Sequence, residues 1–309
     1  MSPATVKYKT SCWKNHIAKE PFAKIPITKI SSLDIENWAC RLIDDHEMNS
    51  KRYFNVGGVL NQMLQLAVKM NIISKSPYQI DRDMIRRKCA LNEGDSERIP
   101  VFSPAEESKF FATAWQCFGN GHHTVHILIP LAIMFQFNTG LRIGELCALR
   151  HEDVNGRILT VQRMFIEPQH EVVPYTKNYK QHREVPLNDY ALMLLSKVDE
   201  KKKELGIECN GFIFSTDERA TSYTEVKKAY TKYCELSKIP TRSSHSARKT
   251  FITKLVDSGR FTIAEIARMC GNSEQVIWNH YYHPLEDISN KLDSFNEVFK
   301  EKAPKPVAV

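Results

Sequence analysis

No stretch of the 309-residue chain approaches the roughly 20 consecutive apolar residues that a membrane-spanning helix needs. The first residues, MSPATVKYKT, lack the apolar run of a secretion signal. Internal repeats and low-complexity segments are also missing, which excludes a repeat architecture and a compositionally biased, disordered chain. We therefore expect a soluble, intracellular protein built from ordinary folded domains.

The eight cysteines form no C-x-x-C pair, and their spacing gathers no set of metal ligands. We interpret them as reduced thiols scattered through the core. The segment GHHTVH, residues 121–126, offers three imidazoles, but no acidic or cysteine partner lies near it in the sequence. This favours a surface loop, so the sequence predicts no metal site.

Acidic residues are the minority, with 36 Asp and Glu against 43 Lys and Arg, which gives a net charge of +7. Such a balance fits a polyanionic partner, although charge alone does not separate nucleic acid from a membrane surface. Residues 1–100 carry 16 Lys and Arg against 11 Asp and Glu, so +5 of the charge lies in the first third. That third is the better candidate for a clamp on a nucleic-acid backbone.

The first 27 residues are polar, basic and aperiodic, and we interpret them as a tail or as the remnant of an upstream module, without a fold of their own. Residues 28–92 are predicted to form a small helical domain. Ser31 with Asp34 three residues later indicates a capped helix start, and two amphipathic stretches follow. Residues 93–100 combine charge, glycine and proline, as linkers do.

A second domain, residues 101–285, opens at a helix start in which Ser103 caps, Pro104 takes the first helical position and Glu106 completes a capping box. Three short β-branched stretches predict a three-stranded antiparallel sheet: GRILTVQRMFI, EVVPY and REVPL. Helices are predicted for four further stretches: DYALMLLSKV, YTEVKKAYTKYCELS, SARKTFITKLVDSG and TIAEIARMCG. The fold class is therefore mainly α with a small antiparallel β-sheet.

The segment NTGLRIGELCALR places Arg142 at the opening of a helix whose Leu146 and Leu149 face inward. An arginine there meets a phosphate with its guanidinium fork and with the positive end of the helix dipole. The alternative is an arginine that caps the helix or pairs with Glu145. This segment alone leaves both interpretations open.

Two further patterns carry possible chemistry. His245 and Arg248 lie three residues apart at the start of a helix, where an imidazole beside a cation suits proton transfer next to a bound phosphate; the alternative is a solvated helix face. GNSEQVIWNHYYHP, residues 271–284, places two tyrosines beside histidines. A phenol of pKa near ~10 needs neighbouring cations and a base before it acts as a nucleophile, and such aromatic pairs are usually core residues.

Taken in order, TGLRIGEL, HSAR and NHYYH resemble the tyrosine site-specific recombinases of phages and conjugative transposons over roughly residues 100–290. The resemblance implies a helical core-binding domain and a catalytic domain in which Tyr281 attacks DNA, with Arg142, His245 and Arg248 around the phosphate. Tyr281 is preferred to Tyr282 because it fits the family's N-x-Y-x-H ending. The family usually has histidine or tryptophan where this chain has Asn272, which can donate a hydrogen bond but carries no charge.

The family also uses a lysine on a β-hairpin. In YTKNYKQHREVPL the turn offers Lys177 and Lys180, and relatives with a T-K-x-x-K turn generally use the first, which selects Lys177. Lys180 is the second choice. A hairpin lysine that is merely solvated is the remaining alternative.

By resemblance, the enzyme cleaves and rejoins DNA through a 3′-phosphotyrosine intermediate and needs no metal, ATP or other cofactor. Its partners would be double-stranded recombination sites, three further copies in a homotetramer on DNA, and possible accessory DNA-bending or directionality factors. It would act in the cytoplasm as a bacterial or phage-encoded protein, without a membrane. Residues 286–309 carry an apolar stripe at helical spacing: Ile288, Leu292, Phe295 and Phe299. The stripe either packs on its own domain or docks on a neighbouring protomer.

We assign contact with the DNA backbone to basic residues outside the catalytic set: Lys51, Arg52, Arg86, Arg87, Lys88 and Lys249. The same motifs are compatible with two other functions. A type IB topoisomerase uses the same kind of site to relax DNA as a monomer. A DNA-binding regulator could have kept the fold and lost the chemistry, with Asn272 as the first sign of that loss.

Overall fold

The computed structural model of the chain describes residues 3–92, 100–119, 127–167, 170–174, 182–208 and 211–281. The chain forms two compact units, Met1–Arg98 and Ile99–Val309, each defined by contacts among its own residues. Each unit has hydrophobic core residues of its own. Within these ranges, no helix is both long enough and apolar enough to cross a membrane.

The first unit is helical. Its α-helices are α1 (Pro3–His16), α2 (Ser32–His46), α3 (Ser50–Lys69) and α4 (Arg82–Cys89), with short 3-10 turns at Pro21–Lys24, Ile27–Lys29 and Ala90–Asn92. The capped start of α2 is confirmed, because Ser31 Oγ accepts from the Asp34 backbone N–H while the Ser31 N–H donates to the Asp34 carboxylate. The buried Trp38 of α2 packs at the centre of this core.

The prediction of no fold in the first 27 residues is wrong for most of that segment. Helix α1 packs on α3, and Cys12, Ile17 and Phe22 are buried in the first core. The backbone carbonyl of His16 also accepts a hydrogen bond from Trp38 Nε1 at 2.8 Å. Sequence periodicity misses this helix because Ile17 and Phe22 lie beyond its end, which leaves few apolar positions within the helix itself.

The second unit contains eight α-helices among its described residues: α5 (Pro104–Gly119), α6 (Ile129–Thr139), α7 (Ile143–Cys147), α8 (Asp189–Glu204), α9 (Tyr223–Leu236), α10 (Ser244–Asp257), α11 (Ile263–Cys270) and α12 (Glu274–His280). Helix α6 is central, since ten of its residues are buried and it contacts α5, α8, α9 and α10. A helix that is apolar on every side needs such a position. The predicted cap of α5 is confirmed by reciprocal hydrogen bonds between Ser103 and Glu106.

The strands form two sheets where we predicted one. Strands β1 (Val154–Asn155), β2 (Ile158–Val161) and β5 (Arg183–Pro186) pair antiparallel in the order β1-β2-β5, while β3 (Met164–Ile166) and β4 (Glu171–Val173) form a separate pair. The stretch GRILTVQRMFI is split between the sheets at Gln162 and Arg163. Both side chains turn to the buried carboxylate of Asp153, which interrupts the strand.

A buried hydrogen-bond network joins the helices below the segment that carries Arg142. Gln136 Nε2 donates to the Leu141 carbonyl and to Ser244 Oγ, each at 2.7 Å, while its Oε1 accepts from the Tyr230 hydroxyl. A fully satisfied buried amide holds its partners in one arrangement. Leu141 precedes Arg142, and Ser244 precedes His245, so this network fixes the relative position of two predicted site segments.

Candidate active site

Gly140 and Arg142 mark the turn between α6 and α7. Gly140 has a left-handed backbone with φ of 61°, and a Cβ atom there would lie 2.3 Å from the Phe251 ring. The turn brings Arg142 to the N-cap of α7, where its backbone N–H donates to Glu145 Oε2 at 2.8 Å and its Nη1 donates to Glu145 Oε1 at 3.0 Å. Leu146 and Leu149 are buried, as predicted.

We expect Gly140→Ala to lower the thermal stability of the protein and to reduce DNA cleavage. The left-handed backbone alone costs about 1–3 kcal/mol for a residue with a side chain, and the contact with Phe251 adds to it. Gly156→Ala is the matched control, because Gly156 has a φ of 57° but open space around its Cβ position. Equal losses of melting temperature in the two variants would contradict a role for the close packing at Gly140.

Arg248, on the second turn of α10, is almost completely buried, with 6% of its surface exposed. Its Nη1 donates to the Gly140 carbonyl, and its Nη2 donates to the Cys270 carbonyl. Burial and the nearby charge of Arg142 lower the pKa of Arg248 to about 10, which still leaves it charged at neutral pH. Both acceptors are uncharged carbonyls, so these bonds hold the guanidinium in place without neutralising it.

Asn272 connects the two arginines. It follows Gly271, whose left-handed backbone ends α11, and its Oδ1 accepts from Arg142 Nη2 at 3.0 Å and from Arg248 Nη2 at 3.1 Å. Both partners are donors, so the side-chain oxygen must face them. We expected Asn272 to act through its amide N–H. Its oxygen instead accepts hydrogen bonds from the two arginines, which leaves Nδ2 as the atom that could donate to a ligand.

Two residues beneath Arg142 form a buried ion pair that we did not predict as part of the site. The Glu145 side chain is 2% exposed and the Arg183 side chain 4%, and the guanidinium fork of Arg183 binds both carboxylate oxygens of Glu145. Arg183 occupies an inward position of β5, where exposure alternates along REVP. A charged residue at an inward strand position was the available sequence signal.

The electrostatic balance of this cluster favours an anion. Three guanidinium groups lie around one buried carboxylate, that of Glu145: Arg142 and Arg183 donate hydrogen bonds to it, and Arg248 acts on it through its charge. Because buried charges require partners, this positive excess makes the cluster suitable for a phosphate or a similar anion. Arg142 is the most accessible of the three, with 25% of its side chain exposed.

Tyr281 directly follows α12, where its backbone N–H donates to the Ile277 carbonyl at 2.9 Å. Its side chain is half-buried against a small core cluster that includes Ile252, Ile266 and Cys270. Burial raises the pKa of the Tyr281 hydroxyl, while the charges of Arg248 and Arg142 act in the opposite direction. The phenol is therefore protonated at neutral pH, and its use as a nucleophile requires a base.

His245 and Lys249 lie on α10, the helix that also carries Arg248. His245 is exposed whereas Arg248 is buried, so the two residues of the H-x-x-R pattern differ in their access to solvent. Lys249 Nζ lies 6.0 Å from the centre of the Tyr281 ring. An exposed imidazole is able to exchange protons with solvent and with a bound substrate.

Several predicted residues and segments lie outside the described residues: Lys177, Lys180, Tyr282, GHHTVH and the apolar stripe of residues 286–309. In the first unit, Lys51, Arg52 and Arg87 are exposed. Arg86 pairs with Asp83 at 3.1 Å and Lys88 with Asp44 at 2.8 Å. These two basic residues are thus partly neutralised by their neighbours.

Residues 117–287 match the phage integrase family, which covers more than half of the chain. The chain is 24% identical to the tyrosine recombinase XerC-like protein of Caldanaerobacter subterraneus subsp. tengcongensis, over 96% of this chain and 78% of that protein. It is 23% identical to the ICEBs1 integrase of Bacillus subtilis, over 88% and 73% respectively.

Solved structures share the fold. The Tn1549 transposon integrase in complex with a circular intermediate DNA superposes with a TM-score of 0.76 at 18% identity, covering 96% of this chain and 94% of that one. A λ integrase tetramer bound to a Holliday junction gives a TM-score of 0.65 at 16% identity, covering 93% and 75%. At these identities the likeness establishes the architecture only.

The chain belongs to the phage integrase family, and it is a tyrosine site-specific recombinase, an enzyme that cleaves and rejoins DNA strands. Its mainly α fold with small antiparallel sheets agrees with the fold class predicted from the sequence. Neither alternative function, the topoisomerase or the inactive regulator, finds support in these similarities.

Proposed function

We propose that Tyr281 is the nucleophile of this recombinase and that Arg142 and Arg248 hold the phosphate it attacks. The observation that carries the proposal is that Arg142 and Arg248 both donate to the same oxygen, Asn272 Oδ1. The positive charges of the same two arginines also act to lower the pKa of the Tyr281 hydroxyl. Two arginine forks beside one phenol form a site for a single phosphodiester.

In the proposed reaction, Tyr281 Oη forms a bond to phosphorus and the bond from phosphorus to the 5′-oxygen breaks. The phenolic proton passes to His245, and Lys177 supplies a proton to the departing 5′-oxygen. The phosphodiester is conserved as a 3′-phosphotyrosine link. Attack by the 5′-hydroxyl of a second strand reverses these steps, so rejoining needs no further energy source.

The arginines act on the charge that develops in the transition state. Backbone carbonyls of Gly140, Cys270 and Gly271 accept hydrogen bonds from these arginines and orient them. Donors that are fixed before the reaction lower the barrier without reorganising during it, and this is usually the largest electrostatic contribution to catalysis. Asn272 contributes by aligning the two forks through Oδ1 and by donating from Nδ2 to a phosphate oxygen.

The domain assignments follow from the same proposal. The unit Met1–Arg98, which contains the predicted DNA-binding domain of residues 28–92, would clamp the DNA backbone through the exposed Lys51, Arg52 and Arg87, and Lys249 would add a contact beside the site. Residues 101–285 would form the catalytic domain. Counterion release at such contacts makes binding strongly dependent on salt.

The direct test uses the full chain and a suicide DNA substrate, nicked so that the cleaved 5′-hydroxyl end is lost. The wild-type protein should produce a covalent protein–DNA adduct that survives denaturing electrophoresis. Complete absence of adducts on the protein's own recombination site, with binding intact, would contradict the proposed function.

Recombination joins two duplexes with two cuts each, and we propose that four protomers assemble around the DNA, as the λ integrase does on its Holliday junction. The stripe of Ile288, Leu292, Phe295 and Phe299 is the proposed contact with the next protomer. A head-to-tail contact of this kind closes into a ring. Accessory DNA-bending or directionality proteins would act on that assembly.

Deleting residues 286–309 should abolish tetramers on paired sites while the monomer remains folded and binds a single site. If the stripe instead packed on its own domain, its removal would lower the melting temperature, because each such buried side chain contributes roughly 1.5–3 kcal/mol. Deleting residues 303–309, which removes only the tail APKPVAV, is the matched control. Normal tetramers from the longer deletion would refute the exchange between protomers.

A further inference from the structure

Arg183 is as deeply buried as Arg248, each with 6% of its surface exposed, and the proposed mechanism gives it no contact with DNA. Its Nη1 and Nη2 donate to the two oxygens of Glu145 at 2.9 Å and 2.5 Å, and its Nε donates to the Met269 carbonyl at 2.9 Å. All three nitrogens of the guanidinium are thus engaged by protein groups. Two of its five N–H groups remain, but the side chain is only 4% exposed, so a DNA phosphate has little access to them.

The contacts of Arg183 join three separate elements. It stands on β5, it binds Glu145 on α7, and it binds the end of α11 through Met269. Gly271 packs directly on the guanidinium, since a Cβ atom there would lie 3.1 Å from Arg183 Nη1 and 3.2 Å from its Cζ. The turn after α11 therefore rests on the Arg183 side chain.

Both arginines that face the phosphate depend on the groups that Arg183 holds. Arg142 donates to Glu145 and to the Gly271 carbonyl. Arg248 donates to the Cys270 carbonyl, and Asn272 Oδ1 accepts hydrogen bonds from both arginines. A displacement of either the carboxylate or the turn would move the acceptors of both guanidiniums together.

We propose that Arg183 is a positioning residue that aligns Arg142, Arg248 and Asn272 by fixing the Glu145 carboxylate and the turn of residues 269–272. The inference rests on the proposed function and deepens it. Arg183 acts on cleavage through these groups and not through the substrate. Misplacement of catalytic groups by about 1 Å reduces rates on the order of 100-fold, which sets the scale of its effect.

The charge of Arg183 also determines the ionisation of Glu145. Burial alone would raise the pKa of Glu145, but hydrogen bonds and charge from Arg183, followed by the charges of Arg142 and Arg248, bring that pKa below its ordinary value. The other titratable groups near the carboxylate are Tyr223 on α9 and Cys270 on α11. Burial raises the pKa of both, so they remain neutral.

Loss of Arg183 therefore has a predictable sign. With its main partner removed, only Arg142 and Arg248 oppose the effect of burial on Glu145, and its pKa rises. As the pH falls through that raised pKa, the carboxylate takes up a proton and releases its charged hydrogen bond to Arg142. Cleavage should then fall with decreasing pH, over a range in which the wild-type carboxylate stays ionised.

The experiment measures the single-turnover rate of cleavage of the suicide substrate between about pH 6 and about pH 8.5. At each pH the rate of the variant is divided by the rate of the wild type, and this rate ratio is compared across the pH range. The ratio cancels every pH effect that the two proteins share. For Arg183→Met the ratio should decrease towards low pH, by up to about tenfold per pH unit below the new pKa of Glu145. For Arg183→Met combined with Glu145→Gln the ratio should be low but independent of pH.

Two single variants complete the design. Arg183→Lys keeps a charge beside Glu145 but lacks the fork and the Nε donor to Met269, so its ratio should be reduced about tenfold or more, equally at every pH, with an unchanged Kd for DNA. Arg163→Met is the matched control, because Arg163 pairs with the buried carboxylate of Asp153 away from the site. It should lower the melting temperature without changing the pH dependence of cleavage.

The outcomes separate this inference from the proposed function. Adducts from the wild type together with cleavage by Arg183→Met at the wild-type rate at every pH, or a pH dependence that persists after Glu145→Gln, would overturn the positioning role alone. Failure of the wild type itself to form adducts would count against the proposed function. If Arg183→Met does not fold, Arg183→Lys decides, and cleavage at the wild-type rate would overturn the inference.

Discussion

Tyr281→Phe should eliminate the covalent adduct while leaving DNA binding nearly unchanged. The substitution removes one oxygen atom, and with it the only group in the proposed mechanism that bonds to phosphorus. Binding should weaken by no more than one lost hydrogen bond, about 0.5–1.5 kcal/mol. Denaturing gels measure the adduct and gel-shift titration measures the affinity.

Tyr282→Phe is the natural control for this experiment, since Tyr282 is the next residue in N-H-Y-Y-H. We expect it to form adducts at a rate close to that of the wild type. Tyr281 is preferred because it fits the N-x-Y-x-H pattern and because Arg248 and Arg142 both act on its hydroxyl. Adducts that survive Tyr281→Phe and vanish in Tyr282→Phe would reverse the assignment.

Arg248→Lys should reduce cleavage by on the order of 10²–10³-fold with a small effect on binding, and Arg142→Lys should behave similarly. Arg248 uses two nitrogens of its fork to reach Gly140, Cys270 and Asn272, on both sides of the site. A lysine ammonium is a single point charge and does not span these acceptors. Affinity should persist because many other phosphate contacts contribute to it.

Rates should be measured under single-turnover conditions with saturating protein, so that cleavage is separated from binding. Arg268→Lys offers a matched control, because Arg268 is an exposed arginine on neighbouring α11 with no place in the proposed mechanism. It should cleave at nearly the wild-type rate. Near wild-type cleavage by Arg248→Lys would remove the argument for a bidentate arginine at that position.

Local patterns predicted the starts of the helices well. Ser31 with Asp34, and Ser103 with Glu106, satisfy helix-end donors within three residues, so their structure depends on nothing distant in the chain. The segments carrying Arg142, Arg248 and Asn272 were likewise recognised from short motifs, and the structure brings these three side chains together. Assignment of their catalytic roles stays a prediction.

Distant contacts account for what was missed. Helix α1 is stabilised through residues at and beyond its end, and the strand break at Gln162 is caused by a carboxylate nine positions away. Arg183 binds Glu145, 38 positions before it, and Met269, 86 positions after it. Amphipathic periodicity and capping rules relate only neighbours in the chain; an arginine at an inward strand position indicates that some partner exists, but these rules do not identify a partner so far away.

The carbonyl groups that hold Arg142 and Arg248 have a consequence for how this site can vary in evolution. Every residue type carries a backbone carbonyl, so Cys270 supplies its acceptor whatever side chain stands at that position. Its thiol packs in a small apolar cluster, where another apolar residue of similar volume would serve. Lineages are therefore able to diverge at residue 270 and keep the arginine in place, and an alignment of side chains understates how many positions build the site.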